Sequence, residues 1–147
     1  MKWYSNQKIL DKIAPSVAEL RIIKLLNEIK IEYFREVCFE GLISSKGFPL
    51  RFDFYIPRQN LLIEYDGYHH DSKIVTEIDL IKNDFALKNR IVLKRFNKSS
   101  WKDLEIRIWQ LVHNGRKRSI VKVEKKKKKI KYKRNGMSYK DAKARMR

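Results

Sequence analysis

Cysteine, proline, glycine and long apolar runs are all scarce in this chain of 147 residues. The one cysteine, Cys38, excludes an internal disulfide framework and a zinc site built from several cysteines. The opening sequence, MKWYSNQKIL, has no apolar run long enough for a signal peptide, and no later stretch is long and apolar enough to span a membrane. These absences predict an intracellular, cytoplasmic protein that has no membrane partner.

Acidic residues are also few, because 17 Asp and Glu stand against 35 Lys and Arg, for a net charge of +18. Residues 116–147 hold 16 Lys and Arg against 2 acids, whereas the first 115 residues hold 19 against 15. This distribution predicts a polyanionic partner, most simply nucleic acid. A solubilising or targeting tail is the alternative. An anionic membrane surface is disfavoured because no amphipathic helix or lipidation signal accompanies the charge.

Hydrophobic residues make up 43% of the chain, which is enough for one domain with a core and an appendage. We predict a globular domain over residues 1–115 and a polybasic tail over residues 116–147. Helices and strands in alternation predict an α/β domain with helices on the faces of a sheet. The predicted elements are a short helical lead-in over 1–14, a helix over 16–29, strands over 31–40, 50–56, 61–66 and 91–96, a helix over 76–89, and a helix capped by Ser100 that ends at Asn114-Gly115.

A hairpin lies at the centre of this pattern. Two strands rich in aromatic and aliphatic residues, 50–56 and 61–66, flank turn-forming residues at 57–60. Counting outward from the tip of the turn places Asp53 opposite Glu64. Side chains alternate between the two faces of a strand, so one face of the hairpin is predicted to be core. That face carries Phe52, Phe54, Ile56, Leu61, Ile63 and Tyr65.

The opposite face of the hairpin carries Asp53 and Glu64, with Asp66 one step along. Like charges directly opposite on paired strands are destabilising, and a cation between the carboxylates removes that repulsion. Oxygen ligands suit a hard ion such as Mg²⁺. The alternative is a solvated face on which Arg51 neutralises the acids.

Two further candidates have ordinary structural explanations. Glu19 follows Ser16 by three residues, which is the capping-box position, and the spacing favours that role over projection toward the hairpin. His69 and His70 come just after the hairpin, where a histidine with a pKa of about 6.5 can shuttle a proton. A single histidine is more often a surface or satisfied core residue.

Five short motifs follow one another along residues 16–112 in a characteristic order. They are Ser16-x-x-Glu19, Arg51-x-Asp53-Phe54-Tyr55-x-Pro57, Ile63-Glu64-Tyr65-Asp66-Gly67-x-x-His70, Asp79-x-x-Lys82-Asn83 and Val92-Leu93-x-Arg95-Phe96. Together they resemble the PD-(D/E)xK nuclease superfamily, in particular its very-short-patch-repair-like branch, which includes phage homing endonucleases. The resemblance implies a restriction-endonuclease-like core with a mixed four-stranded sheet between helices.

The resemblance implies a divalent metal, Mg²⁺ or Mn²⁺, held by Asp53 and Glu64. The backbone carbonyl of Tyr65 would assist, and Glu19 would bind directly or through water. The metal would activate a water molecule and stabilise negative charge on the phosphate being cleaved.

Two departures from the family pattern matter. The usual lysine two positions after the Glu is Asp66 here, which leaves the general base unassigned. His70 is the first candidate for that role and Lys82 the second. The repair enzyme carries a structural zinc site that one cysteine cannot reproduce, so mismatch repair is not predicted.

The tail is the remaining feature. Its charged blocks repel one another, so we expect it to be partly disordered until it binds DNA. The residues predicted to contact nucleic acid are Lys125, Lys126, Lys127, Lys128, Lys129, Lys131, Lys133 and Arg134.

Together these features predict a metal-dependent DNA endonuclease of phage-type homing or site-specific character, acting in a bacterial or phage-infected host cell. One alternative is a structure-selective nuclease such as a junction resolvase. Another is a non-catalytic nucleic-acid-binding protein on a nuclease-like scaffold. The choice between monomer and homodimer stays open, as does the target site.

Overall fold

The fold is that of a computed structural model that describes residues 2–5, 7–67 and 76–124. Short 3-10 helices over Pro57–Gln59 and Lys98–Asp103 connect some of the larger elements. In chain order the strands and α-helices are β1 (Trp3–Ser5), α1 (Gln7–Leu10), α2 (Val17–Glu28), β2 (Phe34–Ile43), β3 (Pro49–Ile56), β4 (Leu61–Tyr65), α3 (Glu77–Lys88), β5 (Val92–Phe96) and α4 (Leu104–Glu124).

The strands form one five-stranded sheet in the order β1-β2-β3-β4-β5. Neighbouring strands are antiparallel except β4 and β5, which run parallel and are joined through α3. Parallel neighbours need a crossover connection, which α3 supplies. The predicted α/β class and mixed sheet are therefore confirmed, and the sheet has one strand more than expected.

The extra strand is β1, which corrects the prediction of a helical lead-in over residues 1–14. Among the residues described there, only those of α1 are α-helical, and Trp3 pairs with Phe39 at the edge of the sheet. The Trp3 ring lies 4.5 Å from the ring of Phe34 and 5.3 Å from that of Tyr55, measured between centroids. This contact is formed between segments far apart in the chain, so local sequence patterns do not reveal it.

The register of the central hairpin is confirmed, because Ile56 pairs with Leu61 and Phe54 with Ile63. The solvated alternative for its second face is wrong, since Leu62 and Glu64 are buried there. One hydrophobic cluster joins the sheet to α2 and α4, and a second joins it to α3. The hairpin therefore lies in the middle layer of a three-layer arrangement.

The placement of Phe52 on the same face as Phe54 is wrong. Phe52 belongs to the α3-side cluster with Tyr55, whereas Phe54 belongs to the other cluster. The alternation breaks at Asp53, which lies across from Glu36 of β2, a residue with a φ of 49°. A non-glycine residue in this region of φ is uncommon and marks a local irregularity in the strand.

The starts of two helices are predicted correctly. Ser16 caps α2, and its Oγ accepts the N–H of Glu19 at 3.3 Å. Thr76 caps α3 with a complete capping box, in which Asp79 Oδ2 accepts the Thr76 N–H at 3.1 Å. These signals are correct because each involves residues only three positions apart.

The last helix differs from its prediction at both ends. Asn97 caps the 3-10 helix, Ser100 is buried within it, and α4 begins only at Leu104. The helix then continues past Gly115 to Glu124. A single glycine costs about 1 kcal/mol within a helix, which is too little to end one by itself. Within the described ranges, no helix combines the length and the apolar character needed to cross a lipid bilayer.

Candidate active site

Glu64 is a buried acid at the centre of the site. It lies on β4 with 3% of its surface exposed, and cations from two other elements contact its carboxylate. Lys82 Nζ on α3 pairs with Oε1, and Arg95 Nη1 on β5 lies 2.7 Å from Oε2. The parallel pairing of β4 and β5 sets Glu64 directly beside Arg95. A buried carboxylate is tolerated when cations compensate its charge in this way.

Arg95 also links the end of β4 to α3. Its Nη1 lies 3.0 Å from Asp79 Oδ1 and 3.5 Å from Asp66 Oδ1, and its Nη2 donates to Asn83 Oδ1 at 3.4 Å. Sequence reasoning included Arg95 in a family motif but assigned it no role. The available signal was an arginine within a short apolar strand, since charged residues are rarely buried without partners.

Asp53 approaches the same region from β3. The backbone N–H of Tyr65 donates to Asp53 Oδ2 at 2.8 Å, just beyond the Phe54–Ile63 pair of the hairpin. Burial raises the pKa of Asp53 to about 7. The Tyr65 N–H lowers the pKa, the charges of Glu64 and Glu19 raise it, and Lys82 lowers it. Asp53 is thus a carboxyl group that would gain from a nearby cation.

We expect Asp53 to make the metal-free protein less stable as pH rises from about 4 to above 7. Its pKa is raised from 3.8 to about 7 on folding, so the folded state keeps a proton that the unfolded chain has lost. The native state binds more protons in that window, and the free energy of unfolding falls with pH. For Asp53 alone the whole change is about 4 kcal/mol.

The test is urea unfolding in EDTA at pH 5 and pH 8, for the native chain and for Asp53→Asn. The native chain should lose more stability than the variant between these two pH values. Equal losses in both proteins would contradict the assignment of the raised pKa to Asp53.

Glu19 takes the capping role that the sequence favours, and its second carboxylate oxygen contacts β2. Ser16 Oγ donates to Glu19 Oε1 at 2.9 Å, and Glu19 Oε2 lies 3.5 Å from Arg35 Nη2. The helix cap therefore holds one oxygen while the other is directed to β2. The charge of Glu19 raises the pKa values of both Asp53 and Glu36, so Glu19 interacts electrostatically with these two acids.

Sequence reasoning missed Glu36 and its pairing with Arg51. Glu36 is buried, burial is the main cause of its raised pKa, and Arg51 Nε lies 3.1 Å from its Oε2. Arg51 therefore pairs with Glu36 of β2, whereas the sequence offered it as the counter-charge of the hairpin acids. We use the name acidic cluster for Glu19, Glu36, Asp53, Glu64, Asp66 and Asp79.

Other predicted site residues lie outside the described part of the chain. These include His70, the first candidate for general base, and the neighbouring His69. All the predicted nucleic-acid contacts of the tail, Lys125 to Lys129, Lys131, Lys133 and Arg134, fall there as well. The roles of these residues remain predictions.

The described side chains fit a divalent ion in chemical type but do not form a ready-made cage. No group of three or more His, Cys, Asp or Glu within these ranges is arranged to hold a metal ion. Glu64 Oε2 is fully buried and accepts no hydrogen bond from the described residues, although Arg95 Nη1 is close. Lys82 and Arg95 already compensate the charge of Glu64, so a divalent ion there would replace one of these contacts. The features that suit a hard cation are the carboxylate oxygens of Asp53 and Glu64 and the raised pKa of Asp53.

A cleft of about 920 Å³ adjoins the acidic cluster. We call it the Trp101 cleft. It shares Glu19 with the cluster, and Tyr65 lines it beside Asp66. It is lined by Ser16, Val17, Ala18, Glu19, Tyr65, Gly67, Lys98, Ser99, Trp101 and Lys102.

Among solved structures, the chain is similar to the catalytic domain of homing endonuclease I-Bth0305I, with a TM-score of 0.51 and 19% sequence identity. The similarity covers 69% of this chain and 98% of that domain. No family model matches the sequence, and no curated protein matches it either. At this identity the similarity establishes the fold: the chain has the mixed α/β fold of a homing endonuclease catalytic domain.

Proposed function

We propose that this protein is a metal-dependent endonuclease that hydrolyses phosphodiester bonds in DNA, of homing or site-specific type. The observation that carries the proposal is the contact of Asp53 with the residue after Glu64: Asp53 Oδ2 on β3 accepts the backbone N–H of Tyr65 on β4 at 2.8 Å, while Lys82 pairs with Glu64. The fold shared with a homing endonuclease catalytic domain supports the same conclusion.

Asp53, Glu64 and Glu19 are the residues that would hold Mg²⁺ or Mn²⁺. Bound there, the ion would supply Lewis acidity and lower the pKa of a water molecule. The protein contributes the positions of the carboxylates. The Tyr65 N–H fixes Asp53, the α2 cap fixes Glu19, and the β4–β5 pairing fixes Glu64.

Lys82 is the described residue best suited to assist the reaction. Its ammonium group pairs with Glu64 and lies 5.3 Å from the centroid of the Phe52 ring, with little solvent exposure. A cation held at this point can stabilise negative charge on a phosphate bound at the acidic cluster. Asp66, which takes the place of the family's lysine, instead lies near Arg95. Lys82 on α3 would then supply the positive charge that this position lacks.

Incubating the purified chain with plasmid DNA tests the proposal. We expect nicking or linearisation with Mg²⁺ or Mn²⁺ and none in EDTA, because the proposed reaction needs the ion to stabilise negative charge on the phosphate and to lower the pKa of the attacking water. Branched DNA run in parallel identifies a structure-selective nuclease by its preference for that substrate. A folded sample that binds DNA yet leaves every substrate intact with both metals would overturn the enzyme assignment in favour of a binding protein.

A further inference from the structure

The Trp101 cleft has the size and lining of a site for one nucleotide. Its volume of about 920 Å³ is within the range of small-molecule sites, which are typically concave and largely apolar. Val17 and Ala18 of α2 and the rings of Tyr65 and Trp101 supply apolar surface. The cleft contains Glu19 of the acidic cluster, so a nucleotide there would lie next to the proposed cleavage site.

The Trp101 side chain is held in a fixed orientation, unlike a typical surface aromatic. The Arg21 guanidinium lies 4.1 Å from its ring centroid, and Arg21 Nη1 donates to the Trp101 carbonyl at 2.8 Å. Glu105 orients Arg21 through a contact of 2.6 Å between Oε1 and Nε. The Tyr65 ring makes an edge contact at 6.3 Å. Trp101 still exposes 38% of its surface, so a rigid aromatic surface remains open to a ligand.

The charges of the cleft are divided between its segments. Lys98 and Lys102 come from the same 3-10 helix as Trp101, whereas Glu19 comes from the start of α2. Phosphates are attracted to the lysines and repelled by Glu19. A nucleotide is the ligand that needs both an aromatic face for its base and cations for its phosphates.

We infer that the Trp101 cleft binds one unstacked nucleotide of the DNA strand beside the cleavage site, with the base against Trp101 and its phosphates near Lys98 and Lys102. This inference rests on the proposed action on DNA and adds a preference for a base that is unpaired or displaced from the duplex. In a continuous duplex the faces of the bases are covered by their neighbours and cannot contact Trp101.

The test uses the full chain in EDTA, so that binding is measured without cutting. The probes are oligonucleotides with one 2-aminopurine, placed either at an unpaired position or in a matched duplex. We expect binding to quench the unpaired 2-aminopurine, and Trp101→Ala to abolish this quenching. In Trp101→Ala the ratio of the affinity for unpaired DNA to the affinity for duplex DNA should fall about 5- to 100-fold, the usual effect of removing a stacking aromatic. Trp101→Phe should keep most of the preference.

Phe48→Ala provides the matched control, because Phe48 is an aromatic residue with 66% exposure that does not line the cleft. It should leave quenching and preference unchanged. The double variant Lys98→Gln with Lys102→Gln keeps the ring and should lower the slope of log affinity against log salt by about 1.4 for single strands. If Trp101→Ala does not fold, this double variant and Trp101→Phe together test whether the cleft binds a nucleotide.

Undiminished quenching and preference in a folded Trp101→Ala would overturn the inference. A native chain that prefers the matched duplex would also overturn it, and would indicate contact with a duplex instead. The nuclease proposal is judged separately. If the native chain quenches 2-aminopurine but cleaves DNA with neither metal, the nuclease proposal is contradicted and the nucleotide site stands. If Trp101→Ala changes neither cleavage nor quenching, only the nucleotide site is contradicted.

Discussion

We expect Asp53→Asn to reduce the rate of metal-dependent DNA cleavage by more than about 100-fold. Residues that only support a metal ligand typically contribute 10- to 100-fold, and the ligand itself contributes more. Asparagine has nearly the shape of aspartate and keeps an oxygen that can accept the Tyr65 N–H. It removes the negative charge, which is the property that the proposed metal site needs.

This substitution should not unfold the protein. The pKa of Asp53 is raised by burial and by the charges of Glu64 and Glu19, so its ionised form is disfavoured in the metal-free fold. A neutral side chain there is expected to be as stable as the native one above pH 7, or more so. Glu64→Gln is a poorer choice, because it leaves Lys82 and Arg95 without their shared carboxylate.

Cleavage of plasmid DNA over a range of Mg²⁺ concentrations measures the effect, with thermal unfolding to verify the fold. Asp84→Asn is the matched control, since Asp84 lies on α3 with a side chain 58% exposed and pairs with Lys88 one turn along the same helix. The control should cut like the native chain. Native-like cutting by Asp53→Asn would remove the acidic cluster from the mechanism.

Ending the chain after Glu124 is expected to cause the largest loss of DNA affinity. The deleted residues 125–147 contain 12 Lys and Arg against 1 acid. Each phosphate neutralised on duplex DNA contributes about −0.9 to the slope of log affinity against log salt. With roughly half of these cations on phosphates, the slope should become shallower by about 5 units, and affinity at low salt should fall on the order of 100-fold or more.

The position of this truncation follows from the structure. The sequence places the tail at residue 116, whereas α4 continues to Glu124, so an earlier cut would remove part of a helix. A chain with residues 125–147 in scrambled order keeps the charge and should keep most of the non-specific affinity. A chain with Gln at each position of the Lys125–Lys129 run should have a slope in between.

Fluorescence anisotropy with labelled duplex DNA, from 50 mM to 200 mM salt, measures both affinity and slope. Equal thermal stability of the full and truncated chains would show that the tail acts on binding alone. Unchanged affinity and slope after truncation would mean that the tail does not bind DNA.

Several parts of this protein could be predicted because they depend on neighbours in the chain. The caps at Ser16 and Thr76 join residues three positions apart, and the hairpin register follows from a short turn. The same register places Asp53 opposite Glu64, and both residues also belong to the family motifs. In each case the interaction is encoded within a short segment, so residue type and spacing are sufficient to predict it.

Contacts between distant segments required the tertiary structure. Sequence spacing did not pair Arg95 with Glu64, because that contact needs β5 to lie parallel to β4 after the α3 crossover. Phe52 lies on the face opposite to the predicted one because of an irregularity at Asp53 and Glu36, which no residue pattern predicts. Such features depend on how strands align over long separations in the chain.

The sequence by itself determined the class of fold, the central hairpin with its two acids, and the concentration of positive charge in the tail. Tertiary structure alone decided which cations neutralise Glu64, how burial raises the pKa of Asp53, and that Trp101 borders a cleft beside Glu19. The physical reason is the distance along the chain over which the interacting residues are separated. Secondary structure and net charge follow from local composition, whereas burial and electrostatic coupling exist only after separate segments have packed together.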